Sequence, residues 1–192
     1  MSEAESYTLF TDGRRLAKGD IRGVAIAAKT HADSSDRPML ALSDTTGRPV
    51  DFDLRGSVAD VEARYAPAAA PQARSGRGRP KLGVTAREVT LLPRHWDWLS
   101  AQPGGASAAL RRLVDQARRD NPDRARRLQA QEAAHRVITV LAGDLPDYED
   151  ALRAFYAGDV DGFQALVEPW PPDIRAYVLE HARAAWGGGA PD

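Results

Sequence analysis

Cysteine is absent from this chain of 192 residues, which removes disulfides, thiolate metal sites and cysteine nucleophiles together. Aromatic residues make up only 7%, so any core leans on alanine, leucine and valine, with a few large rings. No apolar run approaches the roughly 20 residues needed to cross a bilayer. The N-terminal stretch lacks the basic start and apolar segment of a secretion signal. A cytoplasmic protein without a membrane partner is the expectation. His31, His95, His135 and His181 never recur at metal-ligand spacing, and HExxH is missing. The glycines form neither a P-loop nor a dinucleotide fingerprint, and no serine has nucleophile-elbow context. Asp144, Asp147, Glu149 and Asp150 crowd together where a helix opens, and carboxylates there offset the positive end of its dipole. No cofactor, metal, small-molecule ligand or catalytic residue is expected.

What the sequence does contain is an uneven charge distribution. The net charge is −1, yet residues 74–127 hold 13 Lys/Arg against 5 Asp/Glu. Residues 128–192 hold 4 against 11, and residues 1–73 hold 9 against 11. A +8 middle followed by a −7 end points to a polyanion partner, or to docking of the basic part on an acidic protein surface.

The first part, residues 1–65, reads as a small α+β domain. In YTLFTDGRRLAKG the Asp12-Gly13 pair between two short runs is a two-residue hairpin signal. Asp20 caps a helix carrying Ile21, Val24, Ala25 and Ala28 on one face. Met39–Ser43 and the alternating Val50, Phe52 and Leu54 read as a second hairpin through Asp44-Thr45-Thr46-Gly47. Ser57 starts a second helix with Val58, Val61 and Tyr65 aligned. The expected order is strand, strand, helix, strand, strand, helix, with helices on one side of an antiparallel sheet.

Residues 66–83 show no periodic apolar face and read as a flexible basic linker. Within it, Arg77-Gly78-Arg79-Pro80 resembles an AT-hook core. Such a slim, extended, positive segment suits the narrow minor groove of A·T-rich DNA, and Lys81 adds charge beside it. The bland reading is a basic hinge.

Residues 84–121 carry REVTLLPRHWDWLSAQPGGASAALRRLV. A short extended run ends at Pro93, which suits a first helical turn, and Trp96, Trp98 and Leu99 follow. Pro103-Gly104-Gly105 breaks that helix, and Ser107 is a natural N-cap for the next. There Leu110, Leu113, Val114 and Ala117 form an i, i+3, i+4, i+7 stripe. Strand, helix, glycine turn and Ser-capped helix resemble the ribbon-helix-helix motif. The resemblance implies a homodimer whose paired strands, Arg87 to Leu92, enter a major groove. It also implies a shared core of Trp96, Leu99, Leu110, Leu113 and Val114. The amides near Ala106, Ser107 and Ala108 would grip a phosphate, as helix N-termini readily do. The outward positions of the ribbon are Val89 and Leu91 in the family's register, where hydrogen-bonding side chains read base edges. Either the register differs by one, or the ribbon pairs without reading bases; a third option is that it joins the N-terminal sheet.

Residues 122–186 read as an acidic helical bundle. Its faces are Leu128, Ala134, Ile138 and Leu141; Tyr148, Leu152 and Phe155; Phe163, Leu166 and Val167; and Ile174, Tyr177, Val178 and His181. Trp96, Trp98, Trp170 and Trp186 read as core packing, and residues 187–192 as a frayed tail. Over nearly the whole chain, GRPVDFDLRG, the central segment quoted above, YEDALRAFYAGD and WPPDIRAYVLEHA resemble a bacterial family, domain of unknown function 2239. That likeness implies bacterial origin and assigns no activity.

The functional expectation is a dimeric DNA-binding protein, a transcriptional regulator. Its contacts would come from Arg77, Arg79, Lys81, Arg87, Thr90, Ser107, Arg111 and Arg112. The alternative is a non-enzymatic, dimerising adaptor whose basic segment docks on an acidic protein surface.

Overall fold

A computed structural model describes residues 5–66, 87–120 and 122–187. The linker residues Arg77, Arg79 and Lys81 and the tail beyond Gly187 lie outside them. The described residues form an α+β arrangement of one three-stranded antiparallel sheet and eight helices. The chain divides into two compact units: residues 1–67 together with 126–192, and residues 68–125.

In the first unit, strands β1 (Tyr7–Thr11) and β2 (Arg14–Gly19) join through Asp12-Gly13, as the sequence signals. Both turn residues have positive φ, 47° and 74°, the geometry of a turn whose twist matches a hairpin. A bulge between Leu9 and Phe10 leaves Leu16 unpaired and outside. Helix α1 (Ile21–Ser34) starts at Asp20, whose carboxylate accepts the Gly23 N–H at 2.8 Å. Strand β3 (Met39–Ser43) pairs with β1, giving the order β2-β1-β3.

The second hairpin stops short. Leu42 bridges Pro49 and the Val50 N–H reaches Ala41 O at 2.9 Å, but residues 51–54 form no strand. The Asp53 N–H is taken by the Tyr65 hydroxyl at 2.8 Å. Val50, Phe52 and Leu54 still pack inward, so the alternation reported a buried face correctly and a ladder incorrectly. Ser57 caps α2 (Val58–Arg64) in a reciprocal box with Asp60, but Val58 is exposed and only Val61 is fully buried.

The sheet is covered on both faces, where the sequence suggested one. Tyr7, Leu9 and Ala41 pack with Val24 and Ala28 of α1. Phe10 and Leu42 point to the opposite face, because side chains alternate along a strand. There they meet the C-terminal helices: α5 (Pro122–Ala142), α6 (Tyr148–Ala157), α7 (Val160–Val167) and α8 (Pro172–Trp186). The apolar stretches TLF and LAL bury both sides, a pattern of strands sandwiched between helices.

Most of the C-terminal faces are buried as read, through Ala134, Ile138, Phe155, Phe163, Val167, Ile174, Tyr177 and Val178. Leu128 is the exception and is exposed. Trp170 is buried and donates its indole N–H to Pro146 O at 2.8 Å. Trp186 is half-buried against the same core and reaches Phe155 O at 3.0 Å. Glu149 and Asp150 stand in the first turn of α6, where their charge opposes the helix dipole.

Candidate nucleic-acid interface

The described residues 87–120 of the basic middle form two helices. Helix α3 (Pro93–Ser100) begins with proline at its first position, where the missing N–H costs nothing. Its last turn is closed by the Ala101 N–H on Asp97 O at 3.2 Å and by the Gln102 side chain on Trp98 O at 3.2 Å. Gly104 and Gly105 then take φ of +84° and +73°, a pair of left-handed residues that side chains would strain. Helix α4 (Gly105–Asp120) therefore starts two residues ahead of the expected Ser107 cap. Ser107 lies exposed inside the first turn.

Arg112 donates to Pro103 O at 2.9 Å, tying α4 back to the turn, and Arg111 Nε reaches Ser107 O at 3.2 Å. Ser107, Arg111 and Arg112 thus share the N-terminal half of one helix. Arg87 and Thr90 lie on the segment before α3, exposed and without regular structure, and residues 87–92 pair with no strand among the described residues. No ion pair among the described residues engages Arg87, Arg94, Arg111 or Arg112.

Burial within this unit is sparse. Leu99 and Ala109 are buried where α3 packs on α4. Trp96 and Trp98, read as core residues, are 39% and 53% exposed, and Leu113 and Val114 are 46% and 56% exposed. Val89 and Leu92 are exposed as well. A two-helix unit has too little interior to enclose such side chains; among the described residues Leu113 and Val114 of the α4 stripe stay exposed, and Leu110 is half-buried.

A second polar constellation lies in the larger unit, and the sequence did not flag it. Asp44, just after β3, accepts the Thr8 hydroxyl and the Tyr177 hydroxyl on one carboxylate oxygen, both at 2.7 Å. Its other oxygen is buried without a hydrogen-bond partner among the described residues. Tyr177 stacks edge-on against His181 with ring centroids 4.5 Å apart, and a Lys18–Glu180 pair at 2.7 Å lies on the neighbouring surface. Burial, then the bond to Asp44, drives the Tyr177 phenol far above its ordinary range, so it stays a donor at any physiological pH. Tyr177 reads as an apolar position on its helix, and only the distant Asp44 gives its hydroxyl a purpose.

Burial lowers the His181 imidazole below its ordinary value of 6.5, with Lys18 adding to the effect and Asp44 and Glu180 opposing it. A proton that the unfolded chain binds more readily than the folded one stabilises unfolding as pH falls. The contribution of His181 is therefore fully retained above about pH 6.5 and lost as pH drops through the lowered value. Melting temperature measured from pH 8 to pH 5 should fall on the acid side, and His181→Gln should flatten that slope. An unchanged slope in the variant would assign the acid sensitivity elsewhere.

The described residues include no group of His, Asp or Glu arranged to hold a metal ion, and none of their helices is long and apolar enough to cross a membrane. An α+β body joined to a sparsely buried basic helical pair is the class these elements define. The chain belongs to the family described as uncharacterized protein conserved in bacteria (DUF2239), whose model matches residues 6–182. No curated protein and no solved structure matches it.

Proposed function

We propose that this is a dimeric, cytoplasmic DNA-binding protein acting in transcriptional regulation, with the unit around α3 and α4 as its contact surface. The observation that carries this reading is the pairing of two features on one small unit. Large apolar side chains stay exposed on both helices, and Arg94, Arg111 and Arg112 have no acidic partner among the described residues. A second copy covering Trp96, Leu113 and Val114 would remove the first anomaly, in the manner of a ribbon-helix-helix dimer. A polyanion would satisfy the second. Ser107, Arg111 and Arg112 would face phosphates, with Arg87 and Thr90 on the segment before α3, and Arg77, Arg79 and Lys81 supplying further charge.

Six phosphate contacts would lower affinity roughly a thousandfold between low and physiological salt. An electrophoretic shift assay on the full chain, titrated with salt, reads that slope directly. Arg111→Ala with Arg112→Ala should weaken binding and flatten the slope, while Arg77→Ala with Arg79→Ala tests the hook-like segment separately. Val114→Glu should yield a monomer in sedimentation, since an exposed position tolerates the charge in the isolated chain. A wild-type monomer with salt-insensitive or absent DNA retention sinks the reading. A dimer without DNA retention would instead favour the adaptor.

A further inference from the structure

Between the turn that follows β3 and the middle of α5 runs a groove of about 490 Å³, lined by Thr45, Thr46, Arg48, Gln129, Glu132 and Arg136. Every one of these residues is polar, whereas ligand pockets are lined mainly by apolar and aromatic side chains. One wall is the Thr-Thr-Gly-Arg turn, and the other is a run of α5 positions spaced three and four apart, which places them on one helix face.

The two walls are held in register. Gly47 sits at φ +65°, and a Cβ there would meet Ala133 O of α5 at 2.4 Å, so the turn backbone lies directly on the helix. Arg136 donates one guanidinium nitrogen to Thr46 O at 2.8 Å and another to Glu132 at 2.9 Å. That arrangement fixes one guanidinium at the groove while leaving it N–H capacity, since arginine carries five donors. The Gly47 N–H closes the turn on Ser43 O at 2.8 Å, and the Arg48 N–H bonds Thr46 Oγ1 at 3.4 Å.

The Arg48 guanidinium, the Thr45 hydroxyl and the Gln129 amide have no partner among the described residues. Two guanidiniums face one carboxylate, so the groove retains a positive excess, and its neutral residues are all hydrogen-bond donors. Guanidinium groups flanked by hydroxyl and amide donors match a tetrahedral oxyanion in charge and fork geometry.

We propose that this groove binds a phosphate group, with Arg48 and Arg136 as the charged contacts and Thr45 and Gln129 as neutral donors. Two sources share that chemistry: a phosphorylated small molecule, and the backbone of a nucleic acid. The site's residues all belong to the larger unit and include none from α3 or α4, so the proposal does not depend on the α3–α4 surface binding DNA.

Calorimetric titration of the full chain with inorganic phosphate, with adenosine monophosphate and with a short DNA duplex tests it. Saturable binding of phosphate or the monophosphate in the millimolar range or tighter is expected. It should weaken at least about tenfold in Arg48→Ala, as loss of a charge-assisted contact requires. Arg48 is exposed and holds no other side chain, so the variant keeps its fold. Thr45→Val is a milder second probe. Binding of the small anions alone identifies a free ligand, whereas duplex binding that phosphate competes away and Arg48→Ala weakens identifies a backbone contact. Failure of all three probes to bind overturns the proposal, as does binding that neither variant alters. Duplex binding lost in Arg111→Ala/Arg112→Ala but untouched by Arg48→Ala supports the α3–α4 reading while counting against this one.

Discussion

Replacing Phe155 with alanine should destabilise the protein by about 3–5 kcal/mol, the range for removing a fully buried phenylalanine. Its ring lies 5.7 Å from Trp186, 6.1 Å from Phe163 and 5.2 Å from Tyr156 by centroid. It is 1% exposed, and its carbonyl also receives the Trp186 indole N–H. The truncation leaves a cavity bounded by rings from three helices, none of which can slide in without breaking its own contacts. Domains are stable by only about 5–15 kcal/mol, so the loss is a large share of the total. Urea denaturation should show a lower midpoint with an unchanged slope, and Phe155→Leu should recover most of the difference. A change below about 1 kcal/mol would mean that the site refills and the packing described is wrong.

Gly47→Ala should be nearly as damaging, for a different reason. A residue with a Cβ at φ +65° costs roughly 1–2 kcal/mol in backbone strain alone. The new methyl would also meet Ala133 O at 2.4 Å, a backbone atom that cannot rotate away. Overpacking of this kind adds about 1–3 kcal/mol. Gly158→Ala is the internal control: φ is +70° there, but nothing lies within 4 Å of the added atom. The difference between the two variants, read by thermal melting, isolates the close approach of turn and helix. Equal losses would show that the turn is not seated on α5.

Local chemistry made much of this fold legible. Asp12-Gly13, Asp20 and Ser57 each act within a few residues of themselves, so their turn and caps can be read without tertiary knowledge. The faces of α6, α7 and α8 followed from period alone. Legibility failed where the deciding partner is remote. The alternation at Val50, Phe52 and Leu54 shows inward packing, but Tyr65 captures the Asp53 N–H and ends the ladder. Nothing local to Trp96, Trp98 or Leu128 tells how much neighbouring surface exists to cover them, and they are exposed.

The sites follow the same division. Ser107, Arg111 and Arg112 fall on one stretch of helix, where spacing suffices to group them. The Asp44 cluster draws on residues 36 and 133 positions away, and the phosphate groove joins a turn to a helix far along the chain. Constellations assembled across such separations leave no periodic trace.

Because β1, β3 and α5 to α8 share one interior, the 68–125 stretch is an insertion anchored at both ends in the same body. A single cut within it would sever the chain without separating the pieces. The amino-terminal fragment would supply strands to a core completed by the carboxy-terminal one, and the two would travel together until a denaturant parted them.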